Sequence, residues 1–185
     1  MRHSKIRDPQ VSAGSMADIA FLLLIFFLVT AVITNDEGFN RKLPKPCLEP
    51  LCTTELNERN VLRIAINSNN QIMINDEIAS LSKIKETTKS FLDNNGDKSC
   101  NYCNGKQLQN LSDNPTIAVI SLQTHPQSTY EFFIKVQDEL TKAYYELRMK
   151  YAVSVLGKTE NTLNKKDMEF LREAYPFVIS EAETN

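Results

Sequence analysis

The stretch MADIAFLLLIFFLVTAVI, from Met16 to Ile33, is apolar over almost its whole length. Asp18 is its one ionisable residue, and Thr30 is the one polar residue that follows Asp18 within it. Together with the residues at its two edges, the block approaches the roughly 20 residues that an α-helix needs to cross a bilayer core. We therefore predict a single transmembrane helix over residues 16–34.

The acid at the head of this helix needs a physical explanation. A charged aspartate at mid-membrane costs about 2.5–3.5 kcal/mol, a cost tolerated mainly beside a protein partner or a wet cavity. The apolar residues after Asp18 span only about 22 Å, less than the hydrocarbon thickness of about 30 Å, so Asp18 is expected at the membrane edge or deeper. One interpretation is an acid among the headgroups, stabilised by the helix dipole. The functional interpretation is a proton-carrying carboxyl group that another protein surrounds, because one helix cannot bury its own acid.

The tail before the helix, residues 1–15, is short and basic. It contains Arg2, Lys5 and Arg7 against a single acid, Asp8, and basic flanks favour the cytoplasmic side of a membrane. Basic residues beyond position 40 weaken this asymmetry. A cleaved signal peptide would share the basic start, but the acid in the core and the lack of a small-x-small cleavage site oppose it. We predict a cytoplasmic N-terminus.

The segment after the helix, residues 35–60, is predicted to be an extended linker. Pro44, Pro46 and Pro50 fix their own φ angles and bias the preceding residues to extended conformations. A folded domain over residues 61–185 is expected to follow this tether.

The first half of that domain shows the patterns of a hairpin, a helix and a strand. β-branched residues over 61–66 and 71–74 flank an asparagine-rich turn, which predicts a β-hairpin. Apolar residues at helical spacing predict a helix over 80–92. A dense apolar run bounded by prolines predicts a central strand over 116–122.

The second half shows two helix starts. Ser128 and Glu131 have the spacing of a capping box, and a stripe of core residues follows them. The stripe consists of Tyr130, Phe133, Ile134, Leu140, Tyr144, Leu147 and Tyr151. Asn164 and Asp167 predict a second capped helix that ends near Ala174, and residues 177–180 predict a last strand. The expected fold is a small α+β domain, one sheet with helices packed on one face.

Four cysteines form two pairs in the sequence. Cys47 and Cys52 lie in the linker, and Cys100 and Cys103 form a Cys-x-x-Cys within a polar segment. Structural disulfides, a four-thiolate zinc site and a redox pair are all compatible with this spacing. An oxidising compartment favours disulfides, and three pairings are possible.

Composition excludes several classes of function. The net charge of −2 and the pI of about 5.8 provide no footprint for a nucleic acid. His125 has no neighbouring nucleophile or second histidine at ligand spacing, and there is no glycine-rich phosphate loop. We predict no enzymatic activity, no cofactor and no metal site.

The segment DIAFLLLIFFLVT, from Asp18 to Thr30, follows a basic tail and precedes Leu43-Pro44. In this arrangement it resembles the signature helix of the ExbD/TolR family, the single-pass subunits of proton-driven motors in the inner membrane of Gram-negative bacteria. The resemblance implies that Asp18 is the protonatable residue and that Val29 and Thr30 are part of the helix motif. It also implies that Leu43 and Pro44 lie in a mobile, partner-binding linker.

The resemblance further implies a homodimer inside a ring of ExbB-like (MotA/TolQ/ExbB) subunits, coupled to a TonB-like protein, with the α+β domain in the periplasm. Residues 93–114 and 157–175 are additions relative to shorter members of that family. The resemblance thus implies an ExbD-like subunit of a motor that energises TonB-dependent outer-membrane transport. Two alternatives to this role stay open: a TolR-like or gliding-type stator subunit, and a membrane-anchored thiol–disulfide protein that uses Cys100 and Cys103.

Overall fold

The computed structural model of the chain describes residues 12–30 and 57–183. The chain divides into two units, Met1–Asn40 and Arg41–Asn185. Of the predicted linker over residues 35–60, residues 35–56, which include Leu43, Pro44, Cys47 and Cys52, lie outside the described residues. Its last residues, Glu58–Asn60, form a 3-10 helix directly before the first strand.

The first unit contains one helix, α1, from Ala13 to Thr30. None of its side chains is buried within the chain, and it is apolar on every side. Its 18 residues rise about 27 Å, and it is the one helix in the described ranges that is long and apolar enough to span a membrane. The helix begins three residues before the predicted start at Met16, and the predicted end at Thr34 lies outside the described residues.

The second unit is built on a five-stranded mixed sheet with the order β3-β2-β1-β4-β5. The strands are β1 (Val61–Ile66), β2 (Ile72–Ile74), β3 (Glu77–Ala79), β4 (Val119–Thr124) and β5 (Ile179–Glu183). β1, β2 and β3 form an antiparallel meander, whereas β4 runs parallel to both β1 and β5. The α-helices in the described part of this unit are α2 (Leu81–Leu92), α3 (Tyr130–Ser154) and α4 (Lys165–Ala174).

The helices cover one face of the sheet. Leu62, Ile64 and Ile66 of β1 are buried, whereas Arg63 between them is exposed. This alternation is typical of a sheet with one packed face and one solvated face. The α+β fold class predicted from the sequence is therefore confirmed.

The hairpin prediction is also confirmed, but the sequence interpretation missed β3. Residues Asn75 and Asp76 both have positive φ angles and turn the chain from β2 into β3. Such a two-residue turn matches the twist of the strands it joins. A third, three-residue strand thereby extends the predicted hairpin.

Two strand positions were displaced in the prediction. The central strand begins at Val119 rather than at residue 116, because a turn from Asn114 continues to Ala118, whose amide donates to the Asn114 carbonyl. The last strand begins at Ile179 rather than at residue 177, in register with Ile120 of β4.

The predicted capping box of α3 is wrong. Thr129 is the N-cap, and its side chain makes no capping hydrogen bond. The Ser128 hydroxyl instead donates to the His125 carbonyl, and Glu131 pairs with Lys135 one turn further along. Of the predicted stripe, Leu140, Tyr144 and Leu147 are buried, Phe133, Ile134 and Tyr151 are half-buried, and Tyr130 is 76% exposed.

The predicted cap of α4 is confirmed. The Asn164 side chain accepts from the Asp167 amide, and the Asp167 carboxylate accepts from the Asn164 amide, each at 2.9 Å. Lys158 also donates to this carboxylate and holds the pKa of Asp167 below its ordinary value. The reciprocal pair satisfies two amides at the helix start.

Candidate functional site

The first candidate site is the acid on α1. Because the helix begins at Ala13, Asp18 lies in its second turn, and it is the one ionisable residue between Ala13 and Thr30. A helix that is apolar all round is suited to lipid or to a protein interior. Asp18 is therefore the one position on α1 at which a charge can appear or disappear.

The residues of the Val29-Thr30 pair lie on different sides of α1. Eleven residues are almost a whole number of turns, so Val29 shares a face with Asp18, about 16 Å further along the helix axis. Leu22 and Ile25 lie between them on the same face. Thr30 points elsewhere, and its hydroxyl donates to the Phe26 carbonyl at 2.7 Å. Beyond Asp18, this face of the described helix is therefore apolar as far as Val29.

The second candidate site is the segment that connects α2 with β4, residues 93–114. Cys100 is bonded to Cys103 in this segment, with their Cα atoms 5.6 Å apart. Cys100 is 5% exposed and Cys103 is half-buried. Neither cysteine lies in a helix.

Two buried asparagines organise the segment, a role that the sequence interpretation missed. The Asn95 amide group donates to the Cys100 carbonyl at 2.8 Å and accepts from the Cys100 amide at 3.0 Å. The Asn94 side chain donates to the Leu108 and Ser112 carbonyls and accepts from the Leu108 amide. The sequence signal was the run Asp93-Asn94-Asn95, because asparagine mimics and bonds backbone groups in turns.

Gly105 lies where the 93–114 segment packs directly against the backbone of Asp93 and Asn94, at the end of α2. A Cβ atom at this position would lie 2.2 Å from the Asp93 carbonyl oxygen and 2.4 Å from the Asn94 Cα atom. The Gly105 amide donates to that same carbonyl at 2.8 Å. Any side chain at this position would push two backbone segments apart.

We therefore expect Gly105→Ala to lower the free energy of unfolding by about 2–3 kcal/mol, the cost of overpacking a buried contact. Denaturant unfolding of the detergent-solubilised chain measures it. Gly157→Ala is the matched control, because Gly157 has a φ of 63° but open space around it, so its cost should stay near 1 kcal/mol. An equal loss in the free energy of unfolding for the two variants would contradict the close approach at Gly105.

A cleft of about 420 Å³ with several charged side chains in its lining lies between α2, α3 and the 93–114 segment. Two ion pairs lie in its lining: Lys89 with Glu146 at 2.7 Å and Lys150 with Asp93 at 3.0 Å. Hydrogen bonds from Lys85 and Lys89 hold the pKa of Glu146 below its ordinary value, and the bond to Glu146 raises the pKa of Lys89. Groups shifted in these directions stay charged at neutral pH, which suits a structural ion-pair network rather than acid–base catalysis.

Residues 12–30 and 57–183 contain no group of three or more histidine, cysteine, aspartate and glutamate side chains placed to hold a metal ion. His125 lies in a turn, where its Nδ1 atom accepts from the Gln127 amide at 3.1 Å.

One membrane-capable helix with a single acid and an α+β unit, as found in the described residues, are features typical of a single-pass membrane protein with an extramembrane domain. The chain matches the family model described as biopolymer transport protein ExbD/TolR over residues 5–151, and it belongs to the ExbD/TolR family. No curated protein matches the chain.

Family membership settles several of the expectations from the sequence. The protein is a non-enzymatic transport protein, and the family together with the one membrane-capable helix of the described residues indicates a single-pass inner-membrane protein. The family implies partnership with ExbB or TolQ and with TonB or TolA. The match ends at Tyr151 within α3, so α4 and β5 lie beyond it, whereas the 93–114 segment lies inside it.

Proposed function

We propose that this protein is the ExbD-like subunit of a proton-driven motor that energises TonB-dependent transport across the outer membrane, with Asp18 as its proton carrier. The observation on which the proposal rests is that a member of this family has one ionisable residue in its membrane-capable helix, Asp18. An isolated acid in a membrane-spanning helix is taken as a functional group by default. Its transfer into lipid costs free energy, and within the described residues the acid forms no contact that would offset this cost.

The lone acid requires neighbours. No other ionisable group lies within the described helix, so the host of the charge comes from a second copy of α1 or from a surrounding subunit. A homodimer inside a ring of ExbB-like subunits meets this requirement. Because Leu22, Ile25 and Val29 share the face of Asp18, that face of the helix is the natural contact with the ring.

Protonation would switch the helix between two states. The ionised acid needs polar or charged neighbours, whereas the neutral acid tolerates an apolar surface, so the proton decides which part of the ring α1 faces. One charge that crosses 100 mV supplies about 2.3 kcal/mol, so several protons are needed for substantial mechanical work. The domain after the linker would transmit this movement to a TonB-like protein, with Leu43 and Pro44 as proposed partner contacts.

The basic tail supports an orientation with the N-terminus in the cytoplasm and the α+β domain in the periplasm. The periplasm is oxidising, which agrees with a bonded Cys100–Cys103 pair.

Purification of the native complex tests the proposed role against the other motor roles. We expect an ExbB-like ring protein and a TonB-like protein to co-purify with the tagged chain under mild detergent conditions. A TolA-like protein in place of the TonB-like one would contradict the ExbD-like role and support the TolR-like alternative. Companions from a gliding apparatus would contradict both.

A further inference from the structure

The Cys100–Cys103 disulfide presents a tyrosine to a distant part of the domain. Tyr102 lies between the two bonded cysteines, and its hydroxyl donates to the Ala174 carbonyl at 2.7 Å. Ala174 is the last residue of α4, 72 residues further along the chain. The small disulfide ring therefore reaches the segment that leads into the edge strand β5.

Three aromatic rings form the contact. The Tyr102 ring meets Tyr151 of α3 edge-on, with centroids 5.0 Å apart, and Tyr175 edge-on at 5.5 Å. Edge-to-face pairs of this kind add attraction beyond the area that they bury. Tyr102 thus joins the disulfide ring to α3 and to the residue directly after α4.

Tyr175 is the most buried of the three tyrosines. It is 2% exposed, and its hydroxyl donates to the Asp93 carboxylate at 2.8 Å. Lys150 donates to the other oxygen of this carboxylate, and Arg148 donates to the Tyr175 carbonyl at 2.7 Å. β5 begins four residues later, at Ile179, and pairs with β4 alone. The position of Tyr175 therefore determines where the chain enters the edge of the sheet.

We propose that the Cys100–Cys103 ring is a redox-sensitive clamp that holds α4 and the edge strand β5 on the domain. The bonded ring limits the backbone freedom of Tyr102, so the tyrosine meets Tyr175 and Ala174 with little further loss of entropy. With the bond reduced, hydrogen bonds still hold the chain at Cys100, through Asn95, and at Gly105, through the Asp93 carbonyl. Tyr102, which lies between these two points, then has to be ordered at the cost of its own backbone freedom. This inference is independent of the proposed motor function.

Reduction by a dithiol opens the clamp in two exchange steps. A reductant thiolate attacks one sulfur, forms a mixed disulfide and releases the other cysteine as a thiolate, which takes up a proton. The second thiol of the reductant then displaces the mixed disulfide. The reductant ends as a disulfide, having lost two electrons and two protons, and both cysteines end as thiols. Cys103 is half-buried and Cys100 is buried, so attack at the Cys103 sulfur is the accessible route.

Hydrogen–deuterium exchange of the full chain in detergent tests the clamp. The Cys47→Ser/Cys52→Ser background restricts the redox change to the Cys100–Cys103 pair. We expect dithiothreitol to speed amide exchange over residues 165–183 on the order of tenfold, while the hairpin at 61–74 keeps its rates.

Two further variants separate the bond from the tyrosine. Cys100→Ser/Cys103→Ser should exchange at the fast rate with or without reductant, and Tyr102→Ala should do so with the disulfide intact. Unchanged rates over residues 165–183 after reduction would overturn the proposal. Faster exchange that includes the hairpin would also overturn it, because the disulfide would then support the whole domain rather than this segment.

Discussion

Asp18→Asn is expected to abolish energy-coupled uptake through TonB-dependent transporters, with the complex still assembled. Asparagine keeps the size and polarity of the side chain but cannot exchange a proton, so the helix would be held in one state. Uptake of an iron chelate or vitamin by intact cells measures the loss, and co-purification of the ring subunit measures the assembly. Asp18→Glu is the matched control, because a displaced carboxyl group should preserve a measurable part of the uptake.

A second comparison separates the motor from a thiol–disulfide protein. Cys103→Ser removes the Cys-x-x-Cys pair and would eliminate thiol–disulfide activity, whereas a motor subunit should tolerate it better than Asp18→Asn. Normal uptake by Asp18→Asn would contradict the role given to the acid. Loss of uptake in Cys103→Ser together with full uptake in Asp18→Asn would instead favour the thiol–disulfide class.

The second large effect concerns topology. A phosphatase that folds only outside the cytoplasm should be fully active when fused after Asn185, because Arg2, Lys5 and Arg7 favour a cytoplasmic tail. A fluorescent protein that folds only inside the cytoplasm should be dark at that position and bright when fused before Met1. The opposite pattern would contradict the orientation and, with it, the oxidising environment that stabilises the Cys100–Cys103 bond.

The elements that local sequence determines were predictable. The capping box at Asn164 and Asp167 formed because both partners lie within one helical turn. The hairpin strands β1 and β2 formed because an asparagine-rich turn joins two β-branched runs. The length and apolar composition of α1 were sufficient to predict it as a membrane-capable helix.

Contacts between distant residues account for what the sequence did not predict. The Thr129 amide at the start of α3 donates to the Asn70 side chain, 59 residues away, and Ser128 bonds back into its own turn, so the local capping pattern was not used. Tyr175 gave no local signal for a role beside Asp93, because 82 residues separate them. Pairing of Cys100 with Cys103 was one of several possibilities in the sequence.

Asp18 also has features that the local sequence determines and others that depend on distant contacts. Its presence in an apolar stretch was evident, and its place on the helix follows from the 3.6-residue repeat. Under the proposed function, the residues that accept or repel its charge belong to neighbouring subunits, and a single sequence predicts the acid but not those neighbours.

Infrared difference spectroscopy of the native complex in proteoliposomes tests the central claim most directly. The wild-type complex should gain and lose a carboxylic acid carbonyl band as a proton gradient is imposed and collapsed, and the Asp18→Asn complex should lack that band. A wild-type carboxylate signal that stays ionised and unchanged under every gradient would contradict the claim that Asp18 carries the proton.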